Sequence, residues 1–176
     1  MKVSVIIPHW PLNEELDMLL DRCVATLRGY DELLVIVNDG IGFGPAVNRG
    51  LRLAHGDFLL VVNNDTAVLS GDLTDLCDRT AVTVPKIDGQ VDQLPRAFFC
   101  MPRWVYEDVG GYDERFHMGY FEDDDLIKRL DIHGVPIRTV DRVQVSHLGG
   151  TTMRQIESYD DIFRENMRRY QQKWPN

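Results

Sequence analysis

Three short runs of apolar residues dominate the first part of the chain, at residues 3–7, 33–37 and 58–62. Runs of this length and composition are typical of strands that are buried on both faces of a sheet. Between them, apolar residues recur at steps of three and four over 12–27 and 45–55, which predicts two helices. The alternation of strand and helix with short connections predicts an α/β fold in which these three strands are adjacent and parallel.

The rest of the chain has a less regular pattern. No repeat or linker interrupts it, so we expect it to complete the same domain. Local patterns predict helices at 69–80, 103–109, 122–133 and 155–173, strands at 81–84, 97–101, 136–140 and 143–146, and a loop at 87–95.

Composition and charge narrow the classes of function. Of the 176 residues, 44% are hydrophobic and 27% are charged, as in ordinary soluble domains. The net charge of −9 repels a phosphate backbone and argues against nucleic acid as a general partner. No apolar run is long enough for a signal-peptide core or a membrane span, and the three cysteines form no Cys-x-x-Cys pair. We therefore expect a cytoplasmic protein without a membrane anchor.

Polar residues directly follow each of the three early strands. Open α/β sheets bind ligands at the carboxyl ends of their strands, so these residues are expected to share one site. Asn, Asp and Gly also form ordinary turns, but three such clusters on one edge favour a binding site. The clusters are Pro8, His9 and Trp10; Asn38, Asp39 and Gly40; and Asn63, Asn64 and Asp65.

The glycine-rich stretch after the second strand is a poor match for dinucleotide binding. That fingerprint would use Gly40 and Gly42 and would need a third glycine at position 45, where the chain has Pro45. The spacing therefore does not support an NAD site.

Four consecutive acidic residues, Glu122 to Asp125, begin a predicted helix. One or two acids suffice to stabilise the first turn of a helix, so the excess indicates that at least one carboxylate faces a substrate. Neighbouring acids raise each other's pKa, which suits a general base. Periodicity does not choose between Asp123 and Asp124. Four aromatic residues before the helix could offer a sugar ring an apolar face or could belong to the core: Tyr112, Phe116, Tyr120 and Phe121.

A histidine at the end of a predicted edge strand is a candidate metal ligand. His147 and Asp65 together would supply one imidazole and one carboxylate. Completed by phosphate and water oxygens, such a pair suits Mn²⁺ or Mg²⁺.

The strand ends, the acidic helix start and the segment around His147 belong to longer stretches of sequence that resemble family 2 glycosyltransferases of the GT-A fold. The resemblance covers nearly the whole chain. It implies a single three-layer α/β domain with a mostly parallel central sheet. Residues 1–66 would form the nucleotide-binding half, 97–150 the acceptor and catalytic half, and 151–176 a C-terminal helix. The matching segments are VSVIIP at 3–8, NRGLRLAHGDFLLVVNND at 48–65, GGYDERFHMGYFEDDDLIKRL at 110–130, SHLGG at 146–150, and Asn166, Tyr170, Lys173 and Trp174.

The resemblance also implies a reaction: metal-dependent, inverting transfer of a hexose-type sugar from a UDP-, GDP- or dTDP-sugar to a hydroxyl of a glycan or other acceptor. Asp65 and His147 would hold Mn²⁺ or Mg²⁺. Asp123 would be the general base, with Glu122 and Asp124 holding the acceptor. The residues that would bind the nucleotide sugar are Pro8, His9, Trp10, Asn38, Asp39, Asn63 and Asn64.

The chain departs from the family pattern in ways that keep alternatives open. Asn38 replaces the usual Asp after the second strand, and Asn63 and Asn64 leave Asp65 as the only carboxylate of the metal motif. A non-catalytic nucleotide-sugar or carbohydrate-binding module on the same fold is therefore an alternative. A nucleotidyltransferase is a third option, but the chain lacks a basic triphosphate-binding loop near its start.

Overall fold

A computed structural model describes residues 1–90, 94–155 and 159–175. Its strands are β1 (Val3–His9), β2 (Glu32–Val37), β3 (Phe58–Val62), β4 (Thr66–Ser70), β5 (Val82–Ile87), β6 (Phe98–Pro102) and β7 (Ile137–His147). Its helices are α1 (Glu14–Thr26), α2 (Phe43–Leu53), α3 (Arg103–Val109), α4 (Glu122–Ile132) and α5 (Tyr159–Lys173), with short 3₁₀ turns at Leu73–Leu76 and Met153–Gln155.

These strands form a mixed sheet in the order β2-β1-β3-β6-β5-β7-β4. The predicted adjacency of the three early strands is confirmed, because β1 lies between β2 and β3 and runs parallel to both. β5 is parallel to β7, whereas β6 runs antiparallel to β3 and β5, and β4 runs antiparallel to β7.

Helices cover both faces of the sheet and make a three-layer α/β fold. On one face, apolar side chains of α2, α3 and α4 pack on residues such as Ile6 and Val61. On the other face, α1 and the turn at Leu73–Leu76 pack on residues such as Ile7 and Leu60. In the described part of the chain, no helix is long and apolar enough to cross a bilayer.

The second strand was predicted to be buried on both faces, and this is wrong. β2 lies at the edge of the sheet. Ile36 packs under α2, but Val35 and Val37 are 39% and 44% exposed. Their side chains alternate to the opposite face, where α1 lies against β4 rather than over β2.

The predicted helix at 69–80 is also wrong. The chain turns after β3 and pairs as β4 with β7, and only the short 3₁₀ turn at Leu73–Leu76 follows. Leu73 and Leu76 are fully buried as predicted for a helix face, but Asp72 and Asp75 cap a single turn instead of starting a longer helix.

Two further predictions concern the C-terminal part. The predicted strands at 136–140 and 143–146 are one strand, β7, interrupted by a shift in register opposite Pro85 and Lys86 of β5. Parts of the predicted loop at 87–95 and of the helix at 155–173 lie outside the described residues.

Candidate functional site

A cleft lies at the carboxyl ends of β1, β2 and β3. Its cavity volume is about 150 Å³, and it is partly open to solvent. Its lining comes from five parts of the chain: Pro8 and Trp10; Asn38 and Phe43; Asn63, Asn64 and Asp65; Met118, Gly119, Tyr120, Glu122 and Asp123; and Gly150, Thr151 and Thr152. The three polar clusters predicted at one edge therefore all reach this cleft.

The start of α2 fixes one wall of the cleft. Gly42 has φ +98°, and its N–H donates a hydrogen bond of 3.0 Å to Asn38 Oδ1. A Cβ on Gly42 would lie 2.9 Å from the backbone nitrogen of Met118, so a larger residue does not fit. The next residue, Phe43, donates its N–H to the Met118 carbonyl at 3.0 Å. The α2 terminus and the loop before α4 thus hold each other in place.

That loop has an unusual backbone. Met118, Tyr120 and Phe121 have φ values of +67°, +72° and +69°, which non-glycine residues rarely adopt. Asn166 of α5, which is 1% exposed, holds the loop by donating hydrogen bonds to the carbonyls of His117 and Gly119 at 2.8 and 2.7 Å. Strained backbone of this kind concentrates at functional sites.

The metal ligands predicted from the sequence lie side by side. Thr66 is paired with His147 across β4 and β7, so the preceding residue, Asp65, lies next to the histidine. His147 Nε2 is 3.2 Å from Asp65 Oδ1, and Thr151 donates a hydrogen bond of 3.0 Å to Asp65 Oδ2. Burial would raise the pKa of the Asp65 carboxyl, but His147 and the Thr151 hydroxyl outweigh it, so that pKa lies below its usual value.

His9 has a different place from the one predicted. It is 5% exposed and does not line the cleft. Asn64 Nδ2 lies 2.9 Å from His9 Nδ1, and Asp17 Oδ1 lies 2.8 Å from His9 Nε2. With Nδ1 accepting and Nε2 donating, the ring orients the Asn64 amide, so its part in the site is indirect. Asp39 is exposed and also lies off the cleft lining.

The four acids at the start of α4 point in different directions, as successive helical positions must. Glu122 and Asp123 line the cleft. Asp124 pairs with Arg96 at 2.6 Å and lines a separate groove. Asp125 is fully buried, and three donors contact its carboxylate: Arg129 Nε at 2.8 Å, Trp174 Nε1 at 2.9 Å and Lys173 Nζ at 2.5 Å.

The two cleft carboxyls differ in their affinity for protons. Burial and the Asp123 charge raise the pKa of Glu122, which is 4% exposed, well above its usual value. Burial also raises the pKa of Asp123 to about 6, although a hydrogen bond of 2.9 Å from the Tyr112 hydroxyl opposes this shift. Both cleft carboxyls therefore bind protons more tightly than usual, and Asp123, with a pKa of about 6, is ionised at neutral pH. A carboxylate with a pKa near 6 is suited to general-base chemistry.

Buried side-chain polar atoms without a hydrogen-bond partner cluster at this site. Across residues 1–90, 94–155 and 159–175 they are Asn63 Oδ1, Glu122 Oε2 and His147 Nε2. Asn63 and Glu122 line the cleft, and His147 contacts the cleft residue Asp65. Although His147 Nε2 is close enough to Asp65 for an ion pair, the two do not align as a hydrogen bond. Native proteins rarely leave such atoms unpaired, so these three indicate partners supplied by a ligand.

Asp65 and His147 fit a divalent cation. An unpaired imidazole nitrogen beside a carboxylate oxygen is a donor set that Mn²⁺ or Mg²⁺ accepts. No group of three or more His, Cys, Asp or Glu side chains suited to a metal occurs within the described ranges. The remaining ligands would therefore have to come from a bound substrate or from water.

Several cleft residues were not predicted from the sequence. Phe43, Met118, Gly150, Thr151 and Thr152 line it. Of these, Thr151 contacts Asp65 directly and directly follows the SHLGG segment at 146–150. Of the four aromatics considered, Tyr120 lines the cleft, Tyr112 and Phe116 are buried, and Phe121 packs on Phe163 and Tyr170.

No protein-family model matches the sequence, and no curated protein matches it. Solved structures do. GalNAc-T7 with UDP, GalNAc and Mn²⁺ matches with a TM-score of 0.76 at 15% identity, over 99% of this chain and 48% of that chain. The present chain thus spans about half the length of the GalNAc-T7 structure.

Drosophila β1,4-galactosyltransferase 7 matches in two structures. Its catalytic domain with xylobiose has a TM-score of 0.62 at 15% identity, over 84% of this chain and 70% of that chain. A mutant with manganese, UDP-Gal and xylobiose has a TM-score of 0.64 at 14% identity, over 92% of this chain and 79% of that chain. Likeness at this identity establishes the fold, which is that of GT-A glycosyltransferases, and confirms the predicted fold class.

Proposed function

We propose that this chain is a metal-dependent glycosyltransferase domain that moves a sugar from a nucleotide-diphosphate donor to an acceptor hydroxyl. The observation that carries the proposal is the gathering of three buried polar atoms without a hydrogen-bond partner, on Asn63, Glu122 and His147, around one cleft. The structural neighbours, which contain UDP or UDP-Gal with Mn²⁺ on the same fold, support it. The motifs favour a family 2, hexose-transferring and inverting enzyme.

The nucleotide would occupy the wall made by β1 and β2. Trp10 is half-buried and lines the cleft, so its ring can stack on a base. Asn38 and Pro8 lie beside it in the same lining, and His9 acts on the donor only by orienting Asn64. Asp39, at the exposed end of β2, is within the proposed nucleotide region but outside the cleft lining.

The diphosphate would lie near Asp65 and His147. When bound to these two residues, a divalent cation would neutralise the negative charge that develops on the leaving diphosphate. Asp65 is kept ionised at neutral pH by His147 and Thr151. The chain carries a net charge of −9, so this local arrangement would stand in for a basic patch.

Asp123 would take the proton. As the acceptor oxygen bonds to the anomeric carbon, the bond from that carbon to the diphosphate oxygen breaks and its electron pair leaves with the diphosphate. The acceptor hydroxyl proton passes to the Asp123 carboxylate, which is ionised at neutral pH. A single in-line displacement inverts the anomeric centre.

Glu122 and Asp124 would have separate roles. Glu122, whose pKa lies well above its usual value, lines the cleft beside Asp123, and in its protonated form it can donate a hydrogen bond to a hydroxyl of a bound sugar. Asp124 faces a neighbouring groove and is paired with Arg96. That groove would hold the part of the acceptor remote from the reacting hydroxyl.

The decisive test is sugar transfer by an Asp123→Asn variant. The change keeps the size of the side chain and removes its basicity, so transfer should fall by roughly 10²-fold or more, while donor affinity stays near that of the wild type. Transfer from UDP-, GDP- and dTDP-sugars to soluble glycans would be followed with Mn²⁺ present, and the product's anomeric configuration by NMR. Asp108→Asn, at an exposed position of α3 away from the cleft and the groove, is the matched control.

Two outcomes would contradict the proposal in different ways. Donor binding without any transfer would favour a nucleotide-sugar or carbohydrate-binding module, which the lack of a three-ligand metal group in the described residues also favours. Transfer with retention of the anomeric configuration would overturn the single-displacement mechanism but not the transferase.

A further inference from the structure

Hydrogen bonds to a neighbouring helix hold the backbone of Tyr112, whose hydroxyl contacts a cleft residue. The side chain of Asn48, on α2, clamps its backbone: Nδ2 donates to the Tyr112 carbonyl and Oδ1 accepts from the Tyr112 N–H, both at 2.8 Å. A Cβ on Gly111 would lie 2.2 Å from Asn48 Oδ1, so the close approach of helix and loop requires glycine there. The main chain at Tyr112 therefore has little freedom to move.

The Tyr112 ring is equally constrained. It is 5% exposed and packs edge-on against Phe43, with ring centroids 5.7 Å apart. From this position its hydroxyl donates a hydrogen bond of 2.9 Å to Asp123 Oδ1. A rigid residue thus contacts one oxygen of the carboxylate that faces the cleft.

We propose that Tyr112 is a positioning residue for Asp123: its hydroxyl fixes the orientation of the carboxylate through Oδ1 and leaves Oδ2 for the proton of the acceptor hydroxyl. This inference rests on the proposed role of Asp123 and deepens it. To hold the Asp123 carboxylate, the hydrogen-bond donor must itself stay protonated over the pH range of the reaction. The Tyr112 phenol meets this need, because burial raises its pKa well above its usual value.

The charges around Asp123 explain why a hydrogen-bond donor is needed. Burial opposes its ionisation, and so does the charge of Asp124 on α4. Arg96, from the segment before β6, favours ionisation, but its side chain is paired with Asp124. The charge of Arg129 acts on Tyr112: it lowers the pKa of the phenol, but burial outweighs this effect. The Tyr112 hydroxyl is the group that contacts Asp123 directly in favour of the ionised form.

Tyr112→Phe removes the hydroxyl and keeps the ring. Hydrogen bonds to charged groups are strong enough that their loss should raise the pKa of Asp123 by about one unit from its value near 6. The measurement is an NMR titration of ¹³C-labelled aspartate carboxyls, with the Asp123 signal assigned by its absence in Asp123→Asn. It needs neither donor nor metal. Tyr106→Phe, a half-buried tyrosine on α3 that packs on the same core, is the matched control and should leave the titration unchanged.

The pH profile of transfer is the second measurement. The acid limb of Tyr112→Phe should move up by about the same unit, so that at pH 6 its rate is roughly fivefold below wild type, with near-wild-type rates at pH 9 and an unchanged KM for the donor. An unchanged Asp123 titration in Tyr112→Phe would overturn the inference. The inference would also be overturned if the pKa of Asp123 rose in the NMR titration while the acid limb of the pH profile of transfer stayed where it is in the wild type.

These results separate this inference from the proposed function. If the wild-type chain transfers no sugar at any pH, the proposed function fails, and Tyr112 then has no base to position. The NMR titration would still report whether the hydrogen bond exists. If transfer occurs and Tyr112→Phe alters it equally at all pH values, Tyr112 has only a structural role.

Discussion

At the scale of single residues, the neighbours of each acid at the start of α4 decide its chemistry. Asp125 is neutralised by Arg129 and Lys173 and also accepts a hydrogen bond from Trp174, whereas Asp124 pairs with Arg96. Glu122 and Asp123 remain in the cleft, where burial raises the pKa of each carboxyl. Four consecutive acids therefore have different environments: Asp125 is in a buried ion pair, Asp124 is in a surface ion pair, and Glu122 and Asp123 line the cleft.

Sugar transfer should depend on pH through Asp123. The base must be ionised, and its pKa is about 6, so kcat/KM should be level above about pH 7 and fall about tenfold per unit below pH 6. The measurement is the pH–rate profile at saturating Mn²⁺, which keeps metal binding from limiting the rate. A level profile down to pH 5 would contradict Asp123 as the base.

The same carboxyl should make stability depend on pH, with a fixed sign. Because the folded pKa of about 6 lies above the ordinary value of 3.8, the proton on Asp123 stabilises the fold below pH 4, and that contribution is lost as pH rises through 6. Relative to Asp123→Asn, the wild type should lose at most about 3 kcal/mol of unfolding free energy across this window. Denaturant titrations of both proteins between pH 4 and 7.5 would measure the difference.

At the scale of elements, the cleft depends on a loop whose unusual backbone conformation is stabilised by contacts with other elements. Residues 118–121 include three non-glycine residues at positive φ, and their support comes from elsewhere. Phe43 of α2 holds the loop from one side and Asn166 of α5 from the other. Aromatic contacts of Phe121 with Phe163 and Tyr170 add to the second support. The last helix is thus a structural part of the site, although none of its residues whose side chains are described lines the cleft.

Asn166→Ala should weaken both the fold and the site. It leaves the carbonyls of His117 and Gly119 without their donor in a buried position, which should lower the unfolding free energy by about 2 kcal/mol. The loop should then rearrange and sugar transfer should fall. Gln171→Ala, at an exposed position of the same helix, is the matched control. Lower stability with unchanged transfer would show that Asn166 does not maintain the loop.

At the scale of the whole molecule, the site joins segments that are distant in the chain. Pairing of β4 with β7 brings His147 beside Asp65, and packing of α4 under the sheet brings Asp123 to the same cleft. The acidic chain therefore gathers its candidate ligand-binding groups at one cleft. Folding and ligand binding should be linked, because only the folded chain holds these groups together.

Nucleotide and metal together should stabilise the whole protein. UDP with Mn²⁺ at a concentration a hundred times the Kd should raise the unfolding free energy by about 2.7 kcal/mol, and EDTA should abolish the part that depends on metal. Asp65→Ala should lose that part while keeping the fold, whereas Asp141→Ala, at an exposed position of β7, should behave as wild type. Thermal unfolding with and without each ligand is the measurement. Equal stabilisation of Asp65→Ala by UDP and Mn²⁺ would place the metal elsewhere.

Much of the fold could be predicted from local pattern. The strands at 3–7 and 58–62 and the helices α1 and α2 lie where the apolar periodicity places them, because burial against a sheet imposes that periodicity. The predicted helix at 69–80 failed because pairing with β7 draws Thr66–Ser70 into the sheet. The burial of β2 was also mispredicted, since an apolar run does not show whether another strand or helix covers it.

The sequence by itself determined the α/β order, the clusters of polar residues at the strand ends, the acidic start of α4, and the candidates Asp65, Asp123 and His147. Only the tertiary structure decided that His147 meets Asp65, that His9 orients Asn64, and that Tyr112 contacts Asp123. The physical reason is the distance along the chain over which each kind of interaction acts. Helix and strand patterns arise from neighbours a few positions apart. Contacts between side chains, and the pKa shifts that follow from burial and charge, depend on strand register and packing between distant segments.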